Sequence, residues 1–151
     1  MKSGFSLIEL MISMVFLSVA LLAILTVTSF STREAMDTYY QFLAVSLAKE
    51  PIEVFKSFGY QFLNDYDKHP LKNYPIGPTV ITYSDDSPGV YPLEATMFER
   101  EIIIGPESEE GKVKARKITV FVRPIPKSRV AAWFSRHNDV KLESLIVDGP
   151  K

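Results

Sequence analysis

A stretch from Leu10 to Phe30 without a single charged residue constrains this chain more than any other feature. Apolar runs of this length are read as membrane-crossing helices. At about 1.5 Å per residue, Leu10 to Thr32 would reach roughly 34 Å, enough for the hydrocarbon core. Between Lys2 and Arg33 the one charged side chain is Glu9, in the first turns of that helix. A charged residue near the centre of a membrane helix costs roughly 2.5–3.5 kcal/mol, so Glu9 demands a compensating partner.

A cleaved secretory signal fits the run poorly. Met1-Lys2 supplies a basic start, but the apolar core exceeds the usual length of about 7–15 residues. Its small-x-small match, Ser18-Val19-Ala20, lies in the middle of the run rather than beyond it. A plain transmembrane anchor accommodates the length and leaves Glu9 unexplained. Basic residues flank both ends, Lys2 and Arg33, so charge asymmetry does not decide orientation.

The order Lys2-Ser3-Gly4-Phe5-Ser6-Leu7-Ile8-Glu9-Leu10 combines a short basic leader ending in Gly, then Phe, a hydroxyl residue, two aliphatics and Glu. It resembles the type III signal of type IV pilins and type II secretion pseudopilins. The resemblance implies cleavage by prepilin peptidase between Gly4 and Phe5 on the cytoplasmic side, N-methylation of the new terminus at Phe5, and a helix that leaves the membrane for a filament core. It assigns Glu9 to pairing between subunits. The chemistry agrees: a free amine at Phe5, with an unperturbed pKa of about 7.7–8.0, is cationic at neutral pH. Glu9 stands one helical turn away, within reach of its own amine or a neighbour's, and a paired charge is tolerated in a low-dielectric core where a lone one is not. The alternative is a Glu that snorkels to the headgroups.

Ser13, Ser18, Ala20 and Ala23, with Met11 and Met14, lie scattered through the span and permit close helix approach. Many major pilins carry a proline in this half of the helix. None occurs here between Phe5 and Lys49, so helix melting at such a proline is not implied.

From Arg33 the pattern turns amphipathic. Met36, Tyr40, Leu43, Leu47, Val54 and Phe58 recur at helical steps and predict one buried face. Pro51 lacks a backbone donor and crowds the Leu47 carbonyl, which predicts a kink or break near Lys49-Glu50. The segment Ala44 to Glu53, followed by Val54-Phe55-Lys56, resembles the corresponding stretch of minor pilins.

After Gly59, prolines at 70, 75, 78, 88 and 92 predict irregular chain with one short strand, Thr79 to Tyr83. Asp65, Asp67, Asp85 and Asp86 fall there without the spacing of a calcium loop. Ala95–Ile104 and Lys112–Val122 read as a hairpin closed by an acidic loop, Gly105 to Gly111. In the second strand the apolar phase changes at Arg116-Lys117, which predicts a β-bulge there. Val140–Val147 is the last strand. This order resembles the β-meander of minor pilins. Lys112, Lys114, Arg116 and Lys117 form a basic cluster. It reads either as a contact to DNA phosphates or a neighbouring subunit, or as a solvated edge strand guarded by charge.

Other classes find little support. From Gln61 onward basic and acidic residues number thirteen each, so the domain carries no overall footprint for nucleic acid. The chain has no cysteine, hence no disulfide, thiolate metal site or Cys nucleophile. His69 and His137 lack ligand spacing, and no nucleophile motif, phosphate loop or dinucleotide fingerprint is present. No cofactor is implied.

The expectation is a non-enzymatic α+β protein of pilin-like class, a long helix packed on a C-terminal antiparallel β-meander. Residues 1–4 form the leader, 5–32 the transmembrane and filament-core helix, 33–60 its amphipathic continuation and 61–151 the β head. Such a subunit would cross the bacterial inner membrane once, head outside the cytoplasm, and enter a filament with other pilin or pseudopilin subunits. The roles implied are a minor pilin of a type IV pilus, a minor pseudopilin of a type II secretion system, or a filament-tip subunit binding a ligand or DNA. A plainly anchored domain is the remaining reading.

Overall fold

A computed structural model describes residues 6–82, 91–110, 113–134 and 139–148. The elements run α1 (Leu7–Asn64), β1 (Gly77–Val80), β2 (Phe98–Glu110), β3 (Val113–Pro124), α2 (Arg129–Phe134) and β4 (Val140–Val147), with 3₁₀ turns at Tyr66–Lys68 and Leu93–Met97. The fold is α+β, a long N-terminal helix followed by a four-stranded antiparallel sheet. Two compact units divide the chain, Met1–Thr38 and Tyr39–Lys151.

In the first unit the helix carries no charge from Leu10 to Phe30, and every side chain from Ser6 to Ala35 is exposed. It is the one helix among the described residues long and apolar enough to cross a membrane. Its hydroxyls do not disturb that character. Ser13, Ser18, Thr26, Thr28, Ser29 and Thr32 each donate to a carbonyl one turn back, at 2.8–3.0 Å. A polar atom satisfied by its own helix needs nothing from lipid.

In the second unit α1 buries Tyr40, Leu43, Ala44, Leu47, Ala48, Pro51, Ile52 and Phe55, steps of three and four that form one stripe. Burying an aromatic the size of Phe55 is worth about 1.5–3 kcal/mol. The expected stripe holds at Tyr40, Leu43 and Leu47. Past Pro51 it turns onto Ile52 and Phe55, and Phe58 is left exposed.

Pro51 does not break the helix. It lies inside α1 and is buried; the non-helical residue is Gly59, at φ 80° and ψ −178°. That backbone region is open essentially to glycine alone. The expected kink therefore occurs eight positions later, and the reason Pro51 is tolerated lies in the sheet.

The strands lie in the order β1-β2-β3-β4, all antiparallel. Arg100 pairs with Val122 and Ile102 with Val120. One face thus carries Phe98, Arg100 and Ile102 of β2, Ile118, Val120 and Val122 of β3, and Ile146 of β4, all buried. Arg100 bonds the Leu47 carbonyl, which identifies this as the face against α1.

Three expectations about the strands change. Ala95–Met97 belongs to a 3₁₀ turn rather than a strand, and β1 ends at Val80. The supposed acidic loop is strand: β2 runs to Glu110, with Glu107 opposite Arg116 and Glu109 opposite Lys114. Opposite charges across the ladder favour pairing in a segment whose composition alone reads as turn. The register does shift beside Arg116-Lys117, but the extra residue is in β2, between Ile104 and Glu107. A Cβ on Gly105 would meet the Lys117 carbonyl at 3.2 Å, so glycine suits the close approach.

Candidate functional site

Glu9 sits in the first turn of α1, where the Ser6 carbonyl accepts the N–H groups of Glu9 at 3.0 Å and Leu10 at 3.1 Å. A carboxylate in a first turn is favoured by the partial positive charge of unpaired N–H groups. Among the described residues no side chain pairs with it; Ser13 bonds its backbone carbonyl and not its carboxylate. Gly4 and Phe5, the expected cleavage and methylation positions, lie outside the described residues.

The basic cluster has a different setting from the one expected. It belongs to β3, which is a central strand and not an edge. Lys114 pairs with Glu107 at 3.0 Å and Lys117 with Glu143 at 2.7 Å, while Arg116 faces Glu107 across the ladder. Hydrogen bonds from Tyr60 and then Lys114 hold the Glu107 carboxyl below the usual range. Lys117 and Lys141 bring Glu143 down to about 2. Lys114 and Lys117 are thus committed to carboxylates of the same sheet. Lys112 lies outside the described residues, as do Asp85, Asp86 and His137; Asp65 is paired with Lys68 at 2.7 Å.

Sequence reasoning missed the polar centre of the head. Arg100 is only 6% exposed. Its Nη1 donates to the Leu47 carbonyl at 3.4 Å and to Glu50 Oε2 at 3.3 Å, and its Nη2 to the Asn73 carbonyl at 3.1 Å. The guanidinium also stacks over the Tyr74 ring at 5.1 Å. Glu50 accepts the hydroxyls of Tyr74 at 2.7 Å and Tyr91 at 2.6 Å. Burial, then the bond to Glu50, pushes both hydroxyls above the ordinary tyrosine range.

The Leu47 carbonyl is the one that Pro51, four residues on, cannot satisfy. Arg100 takes the place of the missing N–H, and the helix continues unbroken. The signal was available in the sequence: Arg100 alternates with Phe98 and Ile102 on a strand face, so it points where apolar residues point. A buried guanidinium needs a carboxylate and carbonyls, and Glu50-Pro51 offers both.

This centre ties Glu50 and the Leu47 carbonyl of α1 to Arg100 of β2, whereas Glu9 has no side-chain partner among the described residues. No protein-family model, curated protein or solved structure matches this chain.

Proposed function

We propose that the chain is a pilin-like, filament-forming membrane subunit, a minor pilin of a type IV pilus, cleaved between Gly4 and Phe5 and assembled through its N-terminal helix. The observation that carries this reading is Glu9: the only ionisable side chain from Ser6 to Thr32, on a helix whose other side chains there are apolar or hydroxyl-bearing. Removal of residues 1–4 creates an ammonium at Phe5, one turn before Glu9. In lipid Ser13, Ser18, Thr26, Thr28, Ser29 and Thr32 stay bonded to carbonyls of their own helix; in a bundle of like helices the carboxylate meets an amine of its own or a neighbouring copy.

The prepilin peptidase, which would also methylate the new terminus, is the processing partner on this reading, and other pilin subunits are the assembly partners. The pairing of Lys114 and Lys117 with Glu107 and Glu143 weighs against phosphate binding by the basic strand. The test is the mass of the protein isolated from cells with active peptidase. A terminus at N-methylated Phe5 is expected; a chain that keeps Met1 overturns the proposal.

A further inference from the structure

The two edges of the sheet are built differently. The Ile81 N–H donates to the Phe98 carbonyl at 3.3 Å, and Val80 pairs with Glu99. Val80 is therefore at a non-hydrogen-bonded position, and Pro78 and Val80 turn their backbones to the outer edge of β1. One of those two has no N–H to give, and the strand is four residues long. This is a blunted edge.

At the other edge, the Asp148 N–H donates to the Lys114 carbonyl at 2.8 Å beside the pair Ala115–Val147. By the same alternation Val140, Leu142, Ser144 and Ile146 exchange bonds with β3, while Lys141, Glu143, Leu145 and Val147 present N–H and C=O groups outward. β4 has eight residues, no proline and no register shift, and its exposed flank carries Leu145 at 57% and Val147 at 49%. Among the described residues nothing pairs with it.

We propose that the free edge of β4 binds the β4 edge of a second copy of this chain, antiparallel about a two-fold axis at Leu142. Charge complementarity selects the occupant and the register. With Leu142 opposite Leu142, each Lys141, which bonds Glu143 of its own strand at 2.7 Å, also stands opposite the Glu143 of the other copy, giving two reciprocal opposite-charge pairs on the solvent face. Moving the axis to Glu143, a register slip of two residues, would set Glu143 against Glu143. The edge of β1 is a poor partner because Pro78 occupies it. The pairing is independent of cleavage after Gly4 and of the role of Glu9.

The absence of native cysteine makes the test direct. Leu142 would self-pair at a non-hydrogen-bonded position, with Cα atoms about 4.5 Å apart, within disulfide range. The full chain, reconstituted in lipid vesicles, is oxidised as Leu142→Cys and, for the collisional baseline, as Ser57→Cys on an exposed part of α1. Dimer should form about tenfold faster or more for L142C, since a built contact holds the thiols in bonding geometry. Adding Lys141→Glu, or Glu143→Lys, to L142C should return the rate to baseline. Mixing those two charge variants should restore cross-linking between them, which also shows that each is folded. L142C at the baseline rate, no restoration on mixing, or faster cross-linking of Ser144→Cys than of L142C would each overturn the proposal.

Discussion

Two carboxylates on the same helix, Glu9 and Glu50, meet opposite circumstances. Glu50 has its partners within the head: Arg100 and the hydroxyls of Tyr74 and Tyr91. Glu9 has none among the described residues. The contrast extends to the units that carry them. From Tyr40 to Phe55 the helix buries a stripe within its own unit, whereas from Ser6 to Ala35 every side chain is exposed. The head is a folded domain that pairs Glu50, Glu101, Glu107 and Glu143 with its own cations. From Ser6 to Thr32 the N-terminal unit is an apolar surface with one charge, Glu9, and neither is covered by the described residues.

The sharpest way to break this contrast is to make Glu50 resemble Glu9. Arg100→Ala strands the Glu50 carboxylate and leaves the Leu47 carbonyl without a donor. A loss of about 3–5 kcal/mol in head stability is expected from breaking a buried pair on one side, read by thermal or urea denaturation. Glu50→Gln, which keeps an acceptor for the tyrosines, should cost less, about 1–3 kcal/mol.

Gly59→Ala comes next. An added Cβ meets nothing within 4 Å, so the cost is confined to the backbone at φ 80°. About 1–3 kcal/mol is expected for a non-glycine residue in that region, measured in the same denaturation experiment. An unchanged midpoint would mean that the helix passes Gly59 without this conformation.

The smallest effect concerns acid. Glu143 titrates at about 2 in the folded head, below its ordinary value, because Lys117 and Lys141 bond it. A depressed carboxyl stabilises the fold above its unfolded pKa, and that contribution is lost as pH falls toward the folded value. Glu143→Gln should therefore flatten the loss of stability between roughly pH 4.5 and pH 2. An acid profile identical to the parent would show that these surface pairs contribute nothing.

How far the sequence foretold the molecule depends on how local each cause is. The apolar run and the final strand Val140–Val147 are properties of contiguous residues, and the expectations match the structure there. Pro51 misleads because the Leu47 carbonyl it leaves open finds its donor 53 residues further along the chain, in the guanidinium of Arg100. The acidic segment after Gly105 misleads because Gly, Pro, Ser and Glu favour turns, and only the basic residues opposite reveal it as strand. The phase change at Arg116-Lys117 is real in β3, where Ala115 and Ile118 are both buried, yet its cause is an extra residue in the neighbouring strand. Non-local partners of charged and proline residues were the part that spacing along one chain did not reveal.

The central claim is that cleavage after Gly4 supplies the partner that Glu9 lacks. Its most direct test is Glu9→Leu in cells that assemble the filament, scored for processed protein and for subunit recovered in sheared filaments. The account predicts normal insertion and a normal terminus at Phe5, with incorporation reduced by about tenfold or more, as expected when one side of a desolvated ion pair is removed. Parent-level incorporation of the processed Glu9→Leu protein would contradict it.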